Sequence, residues 1–423
     1  MGTKAESTSL IPVINIDSEK CVNCHTCISV CPVKYCIDGS GEKVTINHDL
    51  CIGCGNCIEA CTHDARSILD DTEEFLDALA QKEPLIAIAA PAIVASFPGQ
   101  YKRLLGWLKK QGVEACFDVS FGAELTIKSY LEYIKQIDPK MVISQPCPAI
   151  VTYIELYQPE LLPYLIPMDS PMLHTIKMIK AFYPQYSKHR IVALSPCVAK
   201  RREFSETGVD VLNVTYKSLD SLLKLRNVNL ASEPEAEFDN PEAERAALFS
   251  IPGGLMRTAM RDLPGIDSRT RKIEGTDIIY KYFEGLPKSV KENINPLLID
   301  CLNCELGCNG GPGTLKEGKS ADELEYPVEK VSLEHEKHYG GAKMSREKAH
   351  KKMGKVLSEY WRPNLYRRNY VNRSGNYMLK QPTDSQISQI YQTMLKTKKR
   401  MNLTARPADT EAAGVWRLPF LTD

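Results

Sequence analysis

Cys21, Cys24, Cys27 and Cys31, the last followed by Pro32, are spaced C-x2-C-x2-C-x3-C-P, and Cys51, Cys54, Cys57 and Cys61 repeat that run thirty residues later with Thr62 in place of the proline. A loop this tight presents three thiolates to one iron–sulfur cubane, and the fourth cysteine of each run reaches across to the other cluster. The spacing therefore assigns Cys21, Cys24, Cys27 and Cys61 to one [4Fe-4S] cluster and Cys51, Cys54, Cys57 and Cys31 to a second. Two zinc sites are the competing reading. Zinc asks for four ligands, usually as two C-x2-C pairs across a longer loop, and the three-plus-one pattern does not supply them. Cys36 lies outside both runs and reads as a packed or incidental thiol.

Three further cysteine segments each follow a short apolar run. Met141-Val142-Ile143-Ser144 leads into Gln145-Pro146-Cys147-Pro148, and Ile191-Val192-Ala193-Leu194 into Ser195-Pro196-Cys197. Pro296-Leu297-Leu298-Ile299 leads into Asp300-Cys301-Leu302-Asn303-Cys304 and on to Cys308 and Asn309-Gly310-Gly311-Pro312-Gly313. Such runs suit buried strands, and ligands in α/β sheets sit beyond the carboxyl ends of strands. Cys147, Cys197, Cys304 and Cys308 are thus candidates to converge on one cofactor, with Cys301 a fifth. Four thiolates without an adjacent histidine favour an iron–sulfur cluster or zinc over copper or magnesium. The glycines after Cys308 are expected to let the backbone approach a bulky cofactor. One such cysteine alone would read as a buried thiol; three strand-end loops together do not. Cys116 takes no role in this reading.

The elements that must position these residues are a fourth apolar run, Leu85-Ile86-Ala87-Ile88-Ala89, and helical patterns over Leu104 to Lys110, Leu125 to Ile137 and Met172 to Phe182. Alternating strand and helix predicts an α/β body with parallel sheets. The 423 residues carry 53 basic and 53 acidic side chains, 43% apolar and 25% charged overall, an ordinary globular composition that argues against a global nucleic-acid binder. No run approaches the roughly 18 apolar residues of a membrane span. The start, Met1-Gly2-Thr3-Lys4, has no apolar segment of a secretory signal. A cytoplasmic protein is expected, where disulfides are rare and so many cysteines imply bound metal.

Two segments are charged. Ser232 to Ala246, with Glu233, Glu235, Glu237, Asp239, Glu242 and Glu244 against Arg245, reads as a solvated loop. Gly341 to Arg400 holds fifteen Lys/Arg against three Asp/Glu. Its Trp361, Tyr366, Arg367, Arg368, Tyr370 and Arg373 interleave aromatic and basic side chains, as single-strand nucleic-acid binders do. The plainer expectation is helices wrapping the body or a docking face for an acidic partner, with Ile387 to Lys399 helical. Asn402 to Arg406 carry no cysteine, so no third cluster module is expected there.

In combination the motifs resemble the [FeFe]-hydrogenase family, with a bacterial two-cluster ferredoxin module at the N-terminus. Gln145-Pro146-Cys147-Pro148 resembles the first cofactor loop, T-S-C-C-P. Ser195 through Glu203 resembles the second, M-P-C-x-x-K-x-x-E, and Asp300 through Gly313 the third, E-x-M-x-C-x-x-x-C-x-x-G-G-G. Ala90-Pro91-Ala92, Ser170-Pro171 and Gly253-Gly254-Leu255-Met256 also resemble family segments. The resemblance implies a small α+β ferredoxin-like domain over 1–80, an α/β domain holding the H-cluster over 81–340, and a basic, mainly helical C-terminal region over 341–423. It implies that Cys147, Cys197, Cys304 and Cys308 hold a third cubane, with Cys308 bridging to a diiron subsite carrying CO, cyanide and an amine dithiolate. Lys200 would hydrogen-bond a cyanide, Glu203 would anchor that loop, and Pro91 and Pro171 would line the cofactor. H2 and protons would be substrates, and a redox or signalling protein the partner.

The sequence departs from the family's fast members. Pro146 replaces the cysteine that starts the proton relay, and proline has no side-chain proton. Tyr130, Tyr133 and Ile166 stand at the other relay positions, Ser195 and Leu302 replace methionines, and Met172 replaces a glutamine. Losing a relay should slow turnover, since general acid–base groups contribute 10²–10⁴-fold. The departures resemble putative sensory members. A productive subunit of a larger electron-transfer complex, and an iron–sulfur protein without the diiron subsite, remain alternative readings.

Overall fold

The computed structural model describes residues 9–340, 346–377 and 383–393. Near the N-terminus, β1 (Ile14–Ile16) pairs antiparallel with β4 (Arg66–Ile68), and β2 (Ile37–Asp38) with β3 (Thr45–Ile46). Between them each cysteine run closes on a one-turn helix, Thr26–Ser29 or Asn56–Glu59, entered through a left-handed residue, His25 (φ 63°) or Gly55 (φ 88°). That reversal turns the chain sharply within each cysteine run.

The body holds two parallel sheets. The first has the order β6 (Val113–Asp118), β5 (Leu85–Ala89), β8 (Arg190–Ser195), β9 (Val211–Thr215); the second is β10 (Thr270–Glu274), β11 (Leu298–Leu302), β7 (Val142–Ile143). Every residue of β5, β9 and β11 is buried, as expected of strands covered on both faces. The apolar runs read from the sequence are thus strands, and the three expected helices form over Tyr101–Lys110, Val119–Ile137 and Pro171–Phe182. β6, β9 and β10 went unread. β10 has a single apolar residue, Ile273, and is half-exposed along its length, so it has no hydrophobic signature.

Local chemistry starts the helices beyond the strands. Pro148 occupies the first turn of Pro148–Tyr157 immediately after Cys147. Ser170 caps Pro171–Phe182 by accepting from Leu173 N, the N-cap and first-turn proline pairing that satisfies otherwise orphaned ends.

The acidic segment is a strap rather than a solvated loop. Glu237, Glu235, Asp239 and Glu233 pair with Lys102, Arg103, Lys109 and Lys110 of one helix. Asp239 also takes Cys116 N on its carboxylate at 2.7 Å and gives its own N–H to Cys116 O at 2.7 Å. β6 is the sheet's edge, so the strap covers backbone groups that would otherwise be open to another strand.

Of the described C-terminal residues, helix Arg346–Tyr360 and residues 361–373 pack on the body, and a further helix spans Asp384–Thr393. Tyr366 is buried and stacks on His174 at 4.4 Å. Arg368 and Arg373 are buried in ion pairs. Tyr366, Arg368 and Arg373 of this aromatic–basic stretch are therefore interior packing, while Arg367 is exposed. The expected helix continues past Thr393 into residues outside the described ones, as do Asn402 to Arg406.

Candidate metal centre

The carboxyl ends of β7, β8 and β11 meet at a cavity lined by Cys147, Cys197, Cys304 and Cys308. Pro91, Pro146, Pro171, Met172, Leu302 and Phe249 supply apolar wall, and Lys200 is the one cation among the described lining residues. No carboxylate or imidazole lines it. Burial pushes the thiols up, Cys197 and Cys308 to about 12 and Cys147 and Cys304 also upward. Without metal they are neutral thiols, and a metal that binds there must release their protons. Among the described residues no three His, Cys, Asp or Glu side chains close on one point, as a single zinc with sulfur at about 2.3 Å would demand. A wide apolar box with four thiols and one buried ammonium fits a bulky anionic sulfur-bound cluster.

Cys301 is elsewhere. Its Sγ packs 3.4 Å from Ser144 O and is absent from the cavity lining, because alternate residues of β11 face opposite sides. Ser195 is also outside, donating to Asn213 Oδ1 at 2.7 Å. Of the glycines after Cys308, Gly311 lines the cavity, and the close packing of this loop also requires glycine. A Cβ on Gly311 would lie 2.6 Å from Pro196 O, and one on Gly313 2.9 Å from the same oxygen. They allow the third cysteine loop to lie directly on the second.

The second loop's helix, Lys200–Glu206, serves three places at once. Lys200 Nζ reaches Pro146 O at 3.1 Å and Glu203 Oε2 at 2.6 Å. Glu203, fully buried, also accepts from Ser170 Oγ at 2.9 Å and from Arg368 Nη1 at 2.7 Å. Arg202, fully buried, donates to Cys51 O at 2.5 Å and Ile11 O at 3.2 Å. It thereby ties the cavity wall to the N-terminal cysteines.

Those cysteines form an inner and an outer group. A smaller cavity of about 310 Å3 is lined by Cys51, Cys54 and Cys57 of the second run and Cys31 of the first. Cys36, given no role by spacing, lines it too, with its Sγ 3.8 Å from that of Cys31. A hydrogen bond with Cys36, opposed by burial and aided by Arg202, brings Cys51 down to about 6. This inner group abuts the large cavity's third loop, since a Cβ on Gly55 would lie 2.5 Å from Pro312 Cγ. In the outer group Cys24 is exposed, and Arg66 Nη2 donates to Cys27 Sγ at 3.1 Å. Hydrogen bonds from the Val44 and Asn23 backbones hold Cys21 below the ordinary thiol range. Arg66 and Arg202 were invisible as site residues in the sequence; nothing local marks them.

Tyr130, Tyr133 and Ile166, expected at the other relay positions, are not among the described residues lining the cavity. Tyr130 is buried with its hydroxyl accepting from Gln145 N at 3.3 Å, and buried Ile166 accepts from Tyr370 Oη at 2.6 Å. Tyr133 faces a separate polar groove with Glu132 and Trp361.

Comparison with known proteins agrees with this geometry. Residues 83–312 match the family described as iron only hydrogenase large subunit, C-terminal domain, and residues 13–62 match a 4Fe-4S dicluster domain. The periplasmic [Fe] hydrogenase large subunit of Nitratidesulfovibrio vulgaris is 28% identical over 71% of this chain and 86% of its own. Protein NAR1 of Arabidopsis thaliana is 24% identical over 61% of this chain and 71% of its own. The solved [FeFe]-hydrogenase HydA1 of Chlamydomonas reinhardtii superposes with a TM-score of 0.55 at 19% identity, over 72% of this chain and all of that one. With its family match spanning the sheets and all three cavity loops, the chain belongs to the iron-only hydrogenase large-subunit family.

Proposed function

We propose that the chain splits or senses H2 at an H-cluster held in the large cavity and passes electrons through two [4Fe-4S] clusters at the inner and outer cysteine groups. The observation that carries this reading is the apolar cavity itself, where four cysteines from three strand ends share a wall with the Lys200 ammonium. The diiron subsite, when bound, would supply an open iron and an amine base for heterolytic cleavage. Cys147, Cys197, Cys304 and Cys308 would hold the cubane. Lys200 would offer its ammonium to an anionic ligand, a strong charge-assisted bond in a dry site. Glu203 fixes that ammonium at the wall, and Pro91 and Pro171 exclude water.

Electrons would leave through the inner group and then the outer one, where exposed Cys24 marks the docking side for a redox or signalling protein. Arg66 and Arg202 would offset the negative charge of the two clusters. With Pro146, Tyr130 and Ile166 at relay positions, proton exchange is slow, which suits sensing better than bulk turnover. A cytoplasmic location is part of this proposal, since a reducing compartment keeps ligand thiols free until metal binds. No helix among the described residues is long and apolar enough to cross a membrane.

Similarity to NAR1 favours a second reading, an iron–sulfur protein without the diiron subsite. Infrared spectroscopy after maturation decides between them. CO and cyanide bands are expected; a protein with full cubane content and no such bands establishes the second reading.

A further inference from the structure

We propose that Arg368, carried on the extended C-terminal stretch, is a positioning residue of the large cavity: it holds the Glu203 carboxylate so that Lys200 is presented to the bound cofactor. Arg368 lies outside residues 83–312, the stretch that matches the hydrogenase family. It is nonetheless buried beside the cavity wall, 165 positions from Glu203 in sequence.

The two oxygens of Glu203 are divided between partners. Oε2 takes Lys200 Nζ and Ser170 Oγ, and Oε1 takes Arg368 Nη1 at 2.7 Å. With Oε1 engaged, Lys200 has one carboxylate oxygen to lean on and keeps N–H donors for Pro146 O and the cavity. Remove the guanidinium, and Oε1 becomes a buried, unpaired acceptor, which is costly. The nearest relief is for Lys200 to swing across both oxygens and away from the cavity.

Backbone pairing sets where Arg368 sits. Asp169 N donates to Tyr366 O at 2.9 Å and Arg368 N to Pro167 O at 3.3 Å. Met168 and Arg367 form an antiparallel bridge. The stretch is therefore registered against the segment that leads into Ser170 and Pro171 at the cavity. On its outer side Arg368 faces Glu206 at 3.9 Å, and Arg373 pairs with Glu206 and Glu155 at 3.2 and 3.0 Å. Arg373 shares the stretch and the ion-pair network and does not touch Glu203 in any of these pairs, which makes it the internal control.

This inference rests on the reading that Lys200 faces a cyanide-bearing cofactor, and infrared spectra of the matured full-length protein test the two separately. Arg368→Met is expected to displace the cyanide bands. Arg368→Lys, which keeps the charge, should return them most of the way, and Arg373→Met should leave them in place. Wild-type bands in Arg368→Met, an equal displacement in Arg373→Met, or a lysine variant no better than the methionine one each overturn the inference while the functional reading stands. A wild-type protein lacking CO and cyanide bands overturns both. If Arg368→Met yields no folded protein, Arg368→Gln, which keeps a donor but not the charge, is read in its place with the same expected displacement.

Discussion

The outer cysteine group and the large cavity solve the same problem, gathering thiolates around iron, in opposite ways. The outer group is local: Cys21, Cys24 and Cys27 sit on one loop, with Cys24 exposed and Cys21 and Cys27 buried, and hydrogen bonds lower Cys21 and Cys24. The cavity draws Cys147, Cys197, Cys304 and Cys308 from three strand ends, and burial raises all four. The inner group lies between, with Cys51 lowered to about 6 and Cys57 pushed up to about 12 by burial. Locality rather than depth separates the sites: Cys51 is buried, yet its hydrogen bond with Cys36 and the nearby Arg202 hold it low. A loop can hold a thiol down with its own hydrogen-bond donors, whereas the cavity thiols depend on the incoming metal to displace their protons.

The comparison breaks most completely with Cys304→Ala. Iron should fall from about twelve atoms per reconstituted chain to about eight, with the N-terminal cluster signals retained. Loss of those signals as well would mean the two regions do not load independently. Next comes Glu203→Ala, which strands Lys200 and Arg368 as buried cations. Removing one partner of a buried pair costs about 3–5 kcal/mol, so the denaturation midpoint should fall steeply, and an unchanged midpoint would show that the hub is not structural. Truncation after Gly340 removes Arg368 and Arg373 together and should destabilise the body similarly, rather than merely lose a binding partner.

Arg202→Met sharpens the link between the regions. It leaves Cys51 O without its buried donor, an effect of about 1–3 kcal/mol, and should raise proteolysis of the N-terminal module before that of the sheets. Equal protection in variant and wild type would place the docking energy elsewhere. The smallest effect is expected from Pro146→Cys. It restores one proton-bearing group while Tyr130, Tyr133 and Ile166 still stand at the other expected relay positions, so H2 turnover should rise by less than about tenfold, against 10²–10⁴-fold for a complete general acid–base group. A gain near the upper range would reveal an open route past those side chains.

By itself the sequence determined the N-terminal cysteine runs, because three of the four expected ligands of each cubane lie within one loop and their spacing is local. It also determined the order of the three cavity loops, since buried parallel strands are apolar runs and the chemistry follows their carboxyl ends. Tertiary structure alone decided which cysteine faced the cavity. Cys301 and Cys304 share one motif, yet strand alternation turned Cys301 to Ser144. It decided that Cys36 joins the inner group, that the acidic segment covers the edge of β6, and that Tyr366, Arg368 and Arg373 of the basic C-terminal stretch are interior. The last case shows why. Glu203 and Arg368 are each ordinary charged residues in sequence, and an ion pair between positions so far apart has no local period or spacing. Only the pairing of residues 366–368 with 167–169 brings the guanidinium to the carboxylate, and burial then gives that contact its weight.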